Sequence, residues 1–465
     1  MSTVILGGGL SGLSAAYYLL KTHPKHSVQL LEASTRLGGW IKSNTLNNNI
    51  IFEEGPRTIR PHGLAAYNTL SLIQEIGLES SVIPIHSTAP AAKNRMIYAD
   101  GQLHLLPSSI SSIFKVMSPF SKPLVWYLMH DFIAQKQTVK DESIYDFCNR
   151  RFGTEVADYL ISPMICGICA GNSKEISVKF LMKTLFEYEQ KYGNIYKGLI
   201  RNLFNNSPKT ELSKLAKRAK VERWSVYSFK DGLESLPRAI EQYIKKKDIS
   251  IELNAKCKSI ELYPRNITVH LDNGKSIDAS QMISSISSEE LSQLLKNQHP
   301  DLSTLLEKIK SVTVAVVNLQ YNKKLLPKEG FGFLVPPKER LPILGVIFDS
   351  SCFPNGENTV LTVMMGGAWF QELFGKQCDK EYILNLAQEH LKLMLGINEQ
   401  PENVKVNILE KCIPQYTVGH NENVEKIQKY IKENKLPLAL CGSSYYGVGV
   451  NDVILSSKNA VEQLC

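Results

Sequence analysis

The sequence predicts an α/β fold: a discontinuous Rossmann-like dinucleotide-binding domain, a mixed-sheet domain and a helical, basic domain. Three observations carry the expectation. A glycine-rich turn between a strand and a helix opens the chain, a second such turn lies near its C-terminus, and a cationic stretch interrupts the alternation of strands and helices.

The first turn is Val4-Ile5-Leu6-Gly7-Gly8-Gly9-Leu10-Ser11-Gly12-Leu13. Glu32 follows twenty residues beyond Gly12, after a second apolar run, Val28-Gln29-Leu30-Leu31. In this G-x-G-x-x-G, Gly7 lets the chain turn sharply, Gly9 clears the approach of a pyrophosphate, and Gly12 lets helix and sheet pack closely. The helix from Ser11 to about Leu20 aims its N–H groups and positive dipole end at the phosphates. Glu32 can accept hydrogen bonds from a ribose. Gly8, Leu10 and Ala33 complete the expected contacts.

Glu32-Ala33-Ser34-Thr35-Arg36-Leu37-Gly38-Gly39-Trp40 then places an arginine and a Gly-Gly pair right after the ribose carboxylate. The arginine can face the pyrophosphate, and the glycines permit a second backbone approach to the same ligand. A permanently held cofactor needs that second clamp, which favours FAD over NAD. The segment resembles the E-x-x-x-R-x-G-G stretch of FAD-containing amine oxidases and phytoene desaturases.

Residues 91–220 carry 19 lysines and arginines against 11 acidic residues, so this stretch holds the whole formal net charge of +8. It also contains Leu105-Leu106-Pro107, Ile113-Phe114-Lys115-Val116-Met117 and Leu124-Val125-Trp126-Tyr127-Leu128-Met129. Apolar and aromatic groups beside lysines fit docking on an anionic membrane surface. No nucleic-acid module is present, and a basic patch alone is not one. No run approaches the ~20 apolar residues of a membrane span. The first strand begins almost at residue 3, so no cleavable presequence is visible, and delivery to an organelle would need an internal signal.

Phe229-Lys230-Asp231-Gly232-Leu233-Glu234-Ser235-Leu236-Pro237 reads as a return to the dinucleotide fold, a turn entering a helix. Residues 249–253 and 267–271 alternate as antiparallel strands do, and Asp272-Asn273-Gly274-Lys275 is a hairpin turn. Further strands at 311–321 and 359–366 are assigned to a substrate half. Near the C-terminus, the apolar run 436–442 ends at glycine. A Gly-rich loop, Gly447-Val448-Gly449-Val450-Asn451-Asp452, then leads into a helix expected from Val453. The expected division is 1–90, 221–296 and 411–465 for the FAD-binding domain, 91–220 for a helical membrane-binding domain, and 297–410 for the substrate-binding domain.

Nine cysteines are scattered, which argues for a mostly reduced set. Cys166-Gly167-Ile168-Cys169 is a C-x-x-C, but zinc would need two more ligands that do not appear nearby. No metal site is expected.

Taken together, these strings resemble the oxygen-dependent protoporphyrinogen oxidases, most of all the animal form, over nearly the whole length. Further carriers are Glu54-Gly55-Pro56-Arg57-Thr58-Ile59-Arg60-Pro61, Ala91-Ala92-Lys93-Asn94-Arg95, Ala170-Gly171-Asn172-Ser173 and Cys412-Ile413-Pro414-Gln415-Tyr416. The resemblance implies oxidation of protoporphyrinogen IX to protoporphyrin IX, with O2 as acceptor and H2O2 as by-product. It implies that Gly39, Trp40, Gly55, Pro56, Arg57, Thr58, Cys257, Val448, Gly449 and Val450 join the motif residues around FAD, with Arg57 organising the flavin loop. Arg95 would pair with a substrate carboxylate. Phe331, Leu334, Ile347 and Met364 would wall the macrocycle, and the backbone at Gly167 would steady developing positive charge. A homodimer is implied on the mitochondrial inner membrane, facing the intermembrane space, with ferrochelatase a neighbour. The chain departs from the family pattern at Cys166, Asp231 and Asn421.

Two rivals remain. A different FAD-dependent amine oxidase is one, although the C-terminal stretch reads Ser443-Ser444-Tyr445 where many of those enzymes attach flavin through cysteine, so non-covalent FAD is expected. The other is a non-enzymatic escort protein for prenylated GTPases, which would bind no flavin.

Overall fold

In the first of the two units into which the computed structural model divides, the chain is used three times: Met1–His86, Glu211–Lys310 and Asn421–Cys465. The second takes Ser87–Thr210 and Ser311–His420. The structure describes residues 2–46, 50–203, 211–247, 249–264, 266–353, 356–375 and 378–464.

The first unit is built on five parallel strands in the spatial order Leu438–Leu440, Gln281–Ser284, Ser2–Leu6, Ser27–Leu31, Ser250–Glu252. Parallel strands need both faces covered. Ile5 and Leu30 face a layer made by the helices Leu10–Thr22, Leu64–Glu75, Ser235–Lys245 and Val450–Leu464, with Leu13, Leu70, Ile240 and Ile454 in its core. Val4 and Leu6, pointing the other way, join Met282, Leu440 and Ile427. The antiparallel strands Cys257–Tyr263, Asn266–Leu271 and Ser276–Ala279 close that side, with the hairpin at Asp272–Lys275.

Residues 250–252, expected to be antiparallel, run parallel to Ser27–Leu31 as an edge of the main sheet. A three-residue strand is too short for alternation to report its partner. The C-terminal helix starts at Val450, not Val453, so the loop's last residues already form its first turn.

The second unit holds a seven-stranded sheet ordered Asn403–Pro414, Ser311–Tyr321, Thr359–Gly367, Ile343–Phe348, Gly332–Leu334, Arg95–Ala99, Gln102–Leu105. Phe333, Val346, Val363 and Val317 pack on one face with Ile383, Ala387 and Leu391 of the helix Lys380–Leu395. The expectation that 91–220 is helical throughout is corrected at its start, where Arg95–Ala99 and Gln102–Leu105 form an edge hairpin. Asp100 and Gly101 both take positive φ there (50° and 78°), the conformation that a two-residue hairpin turn needs. The boundary expected at residue 410 falls inside a strand that pairs on to Pro414. Residues 211–220 and 297–310 belong to the first unit; the helix Lys214–Val221 packs Leu215, Ala216 and Ala219 into its core. Asn205-Asn206-Ser207-Pro208, whose composition predicts a turn, lies outside the described residues. Among the described residues, no helix is long and apolar enough to cross a membrane.

Candidate active site

In the first unit, the two glycine segments near the N-terminus lie against each other. Gly9 bridges Gly38 in parallel fashion, and Gly38 N–H donates to Gly8 O at 2.9 Å. A Cβ on Gly39 would sit 3.0 Å from Gly9 Cα, and one on Gly9 would come no closer than 3.7 Å to anything, so the backbone here is bare. A Cβ on Gly12 would lie 1.8 Å from Gly7 O, which gives that glycine its packing role. Gly7 takes φ +96° and is held by Ser285, whose hydroxyl donates to Leu6 O and Gly7 O. Leu10 and Ser11 are buried in the first turn of the following helix.

Glu32 accepts hydrogen bonds from Gly8 N at 2.7 Å and Ser34 N at 2.8 Å, which leaves the carboxylate room for further donors. Its own backbone N–H donates to Glu252 O, and Ala255 N–H donates to Glu32 O. Cys257 therefore begins its strand two residues from a direct tie to the segment that carries Glu32 and Ala33. Arg36, expected to face a pyrophosphate, directs part of its guanidinium at its own loop. Its Nη1 donates to Leu37 O at 3.0 Å and Ile41 O at 3.2 Å, and Nη2 donates to Gly39 O. The guanidinium shapes the Gly-Gly loop because three backbone carbonyls converge on it.

Gly55 packs against that loop so closely that a Cβ would meet Trp40 O at 2.1 Å. Around it, Pro56 is exposed, Thr58 half-buried, Arg57 buried and Trp40 exposed on its outer side. Sequence reasoning missed the clamp beneath this segment. Glu53 accepts from Leu233 N at 2.7 Å and from Ser43 Oγ at 2.7 Å, while Glu234 accepts from Ser43 N at 3.1 Å. Gly232, at φ +84°, presses on both Ser43 and Glu53. Two buried carboxylates tie the 229–237 segment to the strands at 43–53. Only the Gly232 turn hinted at this.

At the C-terminus, Gly447 fits because any Cβ would strike the Asp452 side chain at 2.5 Å. Asp452 accepts from Gly449 N at 3.2 Å, capping the helix that Val450 begins, and burial pushes its carboxyl up from the usual range. Val448 and Val450 flank this cap. Ser457 Oγ donates to Ser11 O at 2.8 Å, joining the two motif helices directly. Cys441 is fully buried, its thiol pushed up to about 12 by burial, and donates to Ser284 O. It is packed core rather than a point of covalent attachment. A bare glycine bed, two helix N-termini and a ribose carboxylate fit FAD.

In the second unit, the register of the seven-stranded sheet aligns the expected substrate residues. Arg95, Gly332, Ile347 and Thr362 are successive cross-strand partners, and two residues along, Ile97, Leu334, Gly345 and Met364 form the next row. A step of two keeps both rows on one face. Leu334, Ile347 and Met364 are only half-buried, whereas the neighbours that alternate with them, Phe333, Val346, Phe348, Val363 and Met365, are buried. Apolar side chains left open in the middle of a sheet mark a binding wall. Gly345 is a residue that sequence reading missed: a Cβ there would meet Leu334 Cδ2 at 2.9 Å.

The helix Ser162–Cys169 covers the same face. Gly167 is exposed within this otherwise largely buried helix, and a Cβ there would lie 2.8 Å from Leu334 Cδ2. It sits in the last turn, at the negative end of the helix dipole, which favours positive charge nearby. Arg95 is exposed at its strand's start, with its guanidinium 5.8 Å from the centre of the Phe331 ring. Asn94 secures that pairing, since its Nδ2 donates to Glu329 O and its carbonyl accepts from Phe331 N. Cys166 and Cys169 are separately buried, with both thiols raised by burial, that of Cys169 to about 12. His62 is exposed with one ring nitrogen bonded to Trp224 O, and His420 is buried and stacks on Tyr416.

The family model for flavin-containing amine oxidoreductase matches residues 10–465. The chain is 39% identical to the protoporphyrinogen oxidase of Bos taurus, over 100% of this chain and 98% of that protein. It is 34% identical to the Schizosaccharomyces pombe protoporphyrinogen oxidase, over 100% and 98%. A crystal structure from Exiguobacterium sp. 255-15 shares the fold at a TM-score of 0.80 and 23% identity, covering 100% of this chain and 98% of that one.

Proposed function

Because the chain belongs to the flavin-containing amine oxidoreductase family, we propose that it is a flavoenzyme oxidising protoporphyrinogen IX to protoporphyrin IX in haem biosynthesis. O2 is the acceptor and H2O2 the by-product. The observation that carries the substrate is the open apolar face of Leu334, Ile347 and Met364 with a cation, Arg95, at its edge. A flat tetrapyrrole with carboxylates on one side asks for that division.

When bound, FAD supplies the hydride acceptor. Gly7–Gly12, Glu32 and the Gly38–Gly39 loop hold its phosphates and ribose. Arg95 pairs with a propionate and fixes the orientation of the ring. The three apolar side chains exclude water from the macrocycle. The C-terminal end of the Ser162–Cys169 helix, at Gly167, favours the cationic character that the ring gains on oxidation.

The reading includes attachment to an anionic membrane surface. Trp126, Met129, Phe132, Ile133, Leu199 and Ile200 are exposed in the second unit, as are Lys115, Lys122, Lys197 and Arg201 near them in sequence. It also includes a homodimer on the intermembrane-space side of the mitochondrial inner membrane, with ferrochelatase as neighbour, by likeness to the family.

Anaerobic titration of the purified protein with protoporphyrinogen IX tests the activity. Flavin bleaching, then recovery on admitting air as protoporphyrin appears, is the expected result. An unchanged flavin spectrum would overturn the substrate and leave the fold standing.

A further inference from the structure

Two elements supply the six exposed apolar side chains named above, and one buried carboxylate, at the end of the first, is bonded to the start of the second. Asp131, fully buried, directly follows the helix Leu124–His130, while Trp126, Met129, Phe132 and Ile133 around it are 51–78% exposed. Asp131 Oδ2 accepts from Ile195 N at 3.1 Å, at the start of the helix Ile195–Leu203, which exposes Leu199 and Ile200. The carboxylate thereby satisfies an orphan N–H of that helix. The Asp131 carbonyl accepts from Asn194 Nδ2 at 2.9 Å.

The other carboxylate oxygen, Oδ1, accepts from Arg151 Nη1 at 3.0 Å. Arg151 Nη2 donates to Glu189 at 2.5 Å and to Gly193 O at 3.2 Å, and neither Arg151, Asp131 nor Glu189 exposes any side-chain surface. Arg150 joins Glu189 to Glu142. Above this cluster, Phe132 stacks on Tyr196 at 4.6 Å, and Tyr196 donates its hydroxyl to Leu128 O. Buried ion pairs contribute little net stability compared with apolar packing, which turns attention to the geometry that this cluster holds.

We propose that Asp131 is a positioning residue for the docking face. By bonding both helices to the buried Arg151, it holds their outward apolar side chains in one arrangement before a membrane is met, so that docking on anionic phospholipid requires no folding step. This rests on the membrane reading above.

The test uses flavin-loaded protein and phosphatidylcholine vesicles with and without phosphatidylserine. Asp131→Asn should keep its flavin spectrum and its activity in detergent while losing vesicle affinity by about tenfold or more. Undiminished flotation of Asp131→Asn would overturn the proposal. Flotation of the unaltered protein, lost in the Trp126→Glu/Phe132→Glu variant, would show that the docking reading still stands. Failure of the unaltered protein to float would remove that reading, and the proposal with it. If Asp131→Asn does not fold, hydrogen exchange on the unaltered protein decides. Amides in 124–134 and 195–203 should be protected before vesicles are added, and protection appearing only with vesicles would overturn preassembly.

Discussion

At Gly12 one hydrogen atom separates a working turn from a collision with Gly7 O at 1.8 Å, while at Gly9 the nearest neighbour of an added Cβ is 3.7 Å away. The two glycines should therefore fail differently. Gly12→Ala should lower stability by about 1–3 kcal/mol in denaturant unfolding and lose flavin. Gly9→Ala should unfold as the unaltered protein does, yet retain little flavin absorbance. Arg95→Ala should raise KM for protoporphyrinogen by about tenfold or more with kcat little altered, the loss expected for a charge-assisted pair; unaltered kinetics would remove it from the site. The motif glycines are legible in sequence because each must be glycine for a backbone reason. Arg36 was legible as a residue but not in its partners, since the convergence of Leu37, Gly39 and Ile41 carbonyls on it is a property of the folded loop. Gly345 was invisible: inside an apolar strand, nothing marks a glycine as the seat of a side chain on the strand paired with it.

The helix Ser162–Cys169 packs on the strand Gly332–Leu334, and Gly167 lies directly against Leu334 there. Gly167→Ala should cut kcat/KM by narrowing the open face, and Leu334→Ala added to it should recover part of the loss. Additive losses in steady-state kinetics would show that the two residues act apart. Elements with strong periodicity, such as Ser311–Tyr321 and Ser27–Leu31, could be read from the chain. The edge hairpin at 95–105 was overlooked although Asp100-Gly101 is a strong turn signal, because the surrounding cationic stretch was read by its charge. The early start of the C-terminal helix escaped for another reason. Its cap is supplied by Asp452 from within the first turn, so no capping residue precedes it in the usual place.

For the whole molecule, the sequence reading expected three domains, whereas the chain divides into two units, with Ser87–Thr210 and Ser311–His420 together in the second. Residue 410 looks like a boundary, yet the strand there runs on to Pro414, and sheet register is a long-range property that local composition does not encode. Acid stability should expose the buried ion cluster. Burial alone would raise the Glu189 carboxyl, but hydrogen bonds from Arg150 and Arg151 outweigh it and hold the group below the ordinary range. A depressed folded value stabilises above the unfolded pKa, about 4.3, and that stabilisation is lost as pH falls through the folded value. Glu189→Gln should therefore lower Tm most above about pH 5, and the gap should close on acidification; a gap that widens would contradict this. The parallel sheet of the first unit has one more consequence. Its edge strand Leu438–Leu440 lies beside Gln281–Ser284, itself beside the opening strand Ser2–Leu6. At ordinary ribosomal speed the last of these is made roughly twenty to ninety seconds after the first. Through that interval the nascent chain carries an unfinished sheet edge, so chains released before Leu438–Leu440 should aggregate more than the full-length protein in a light-scattering assay.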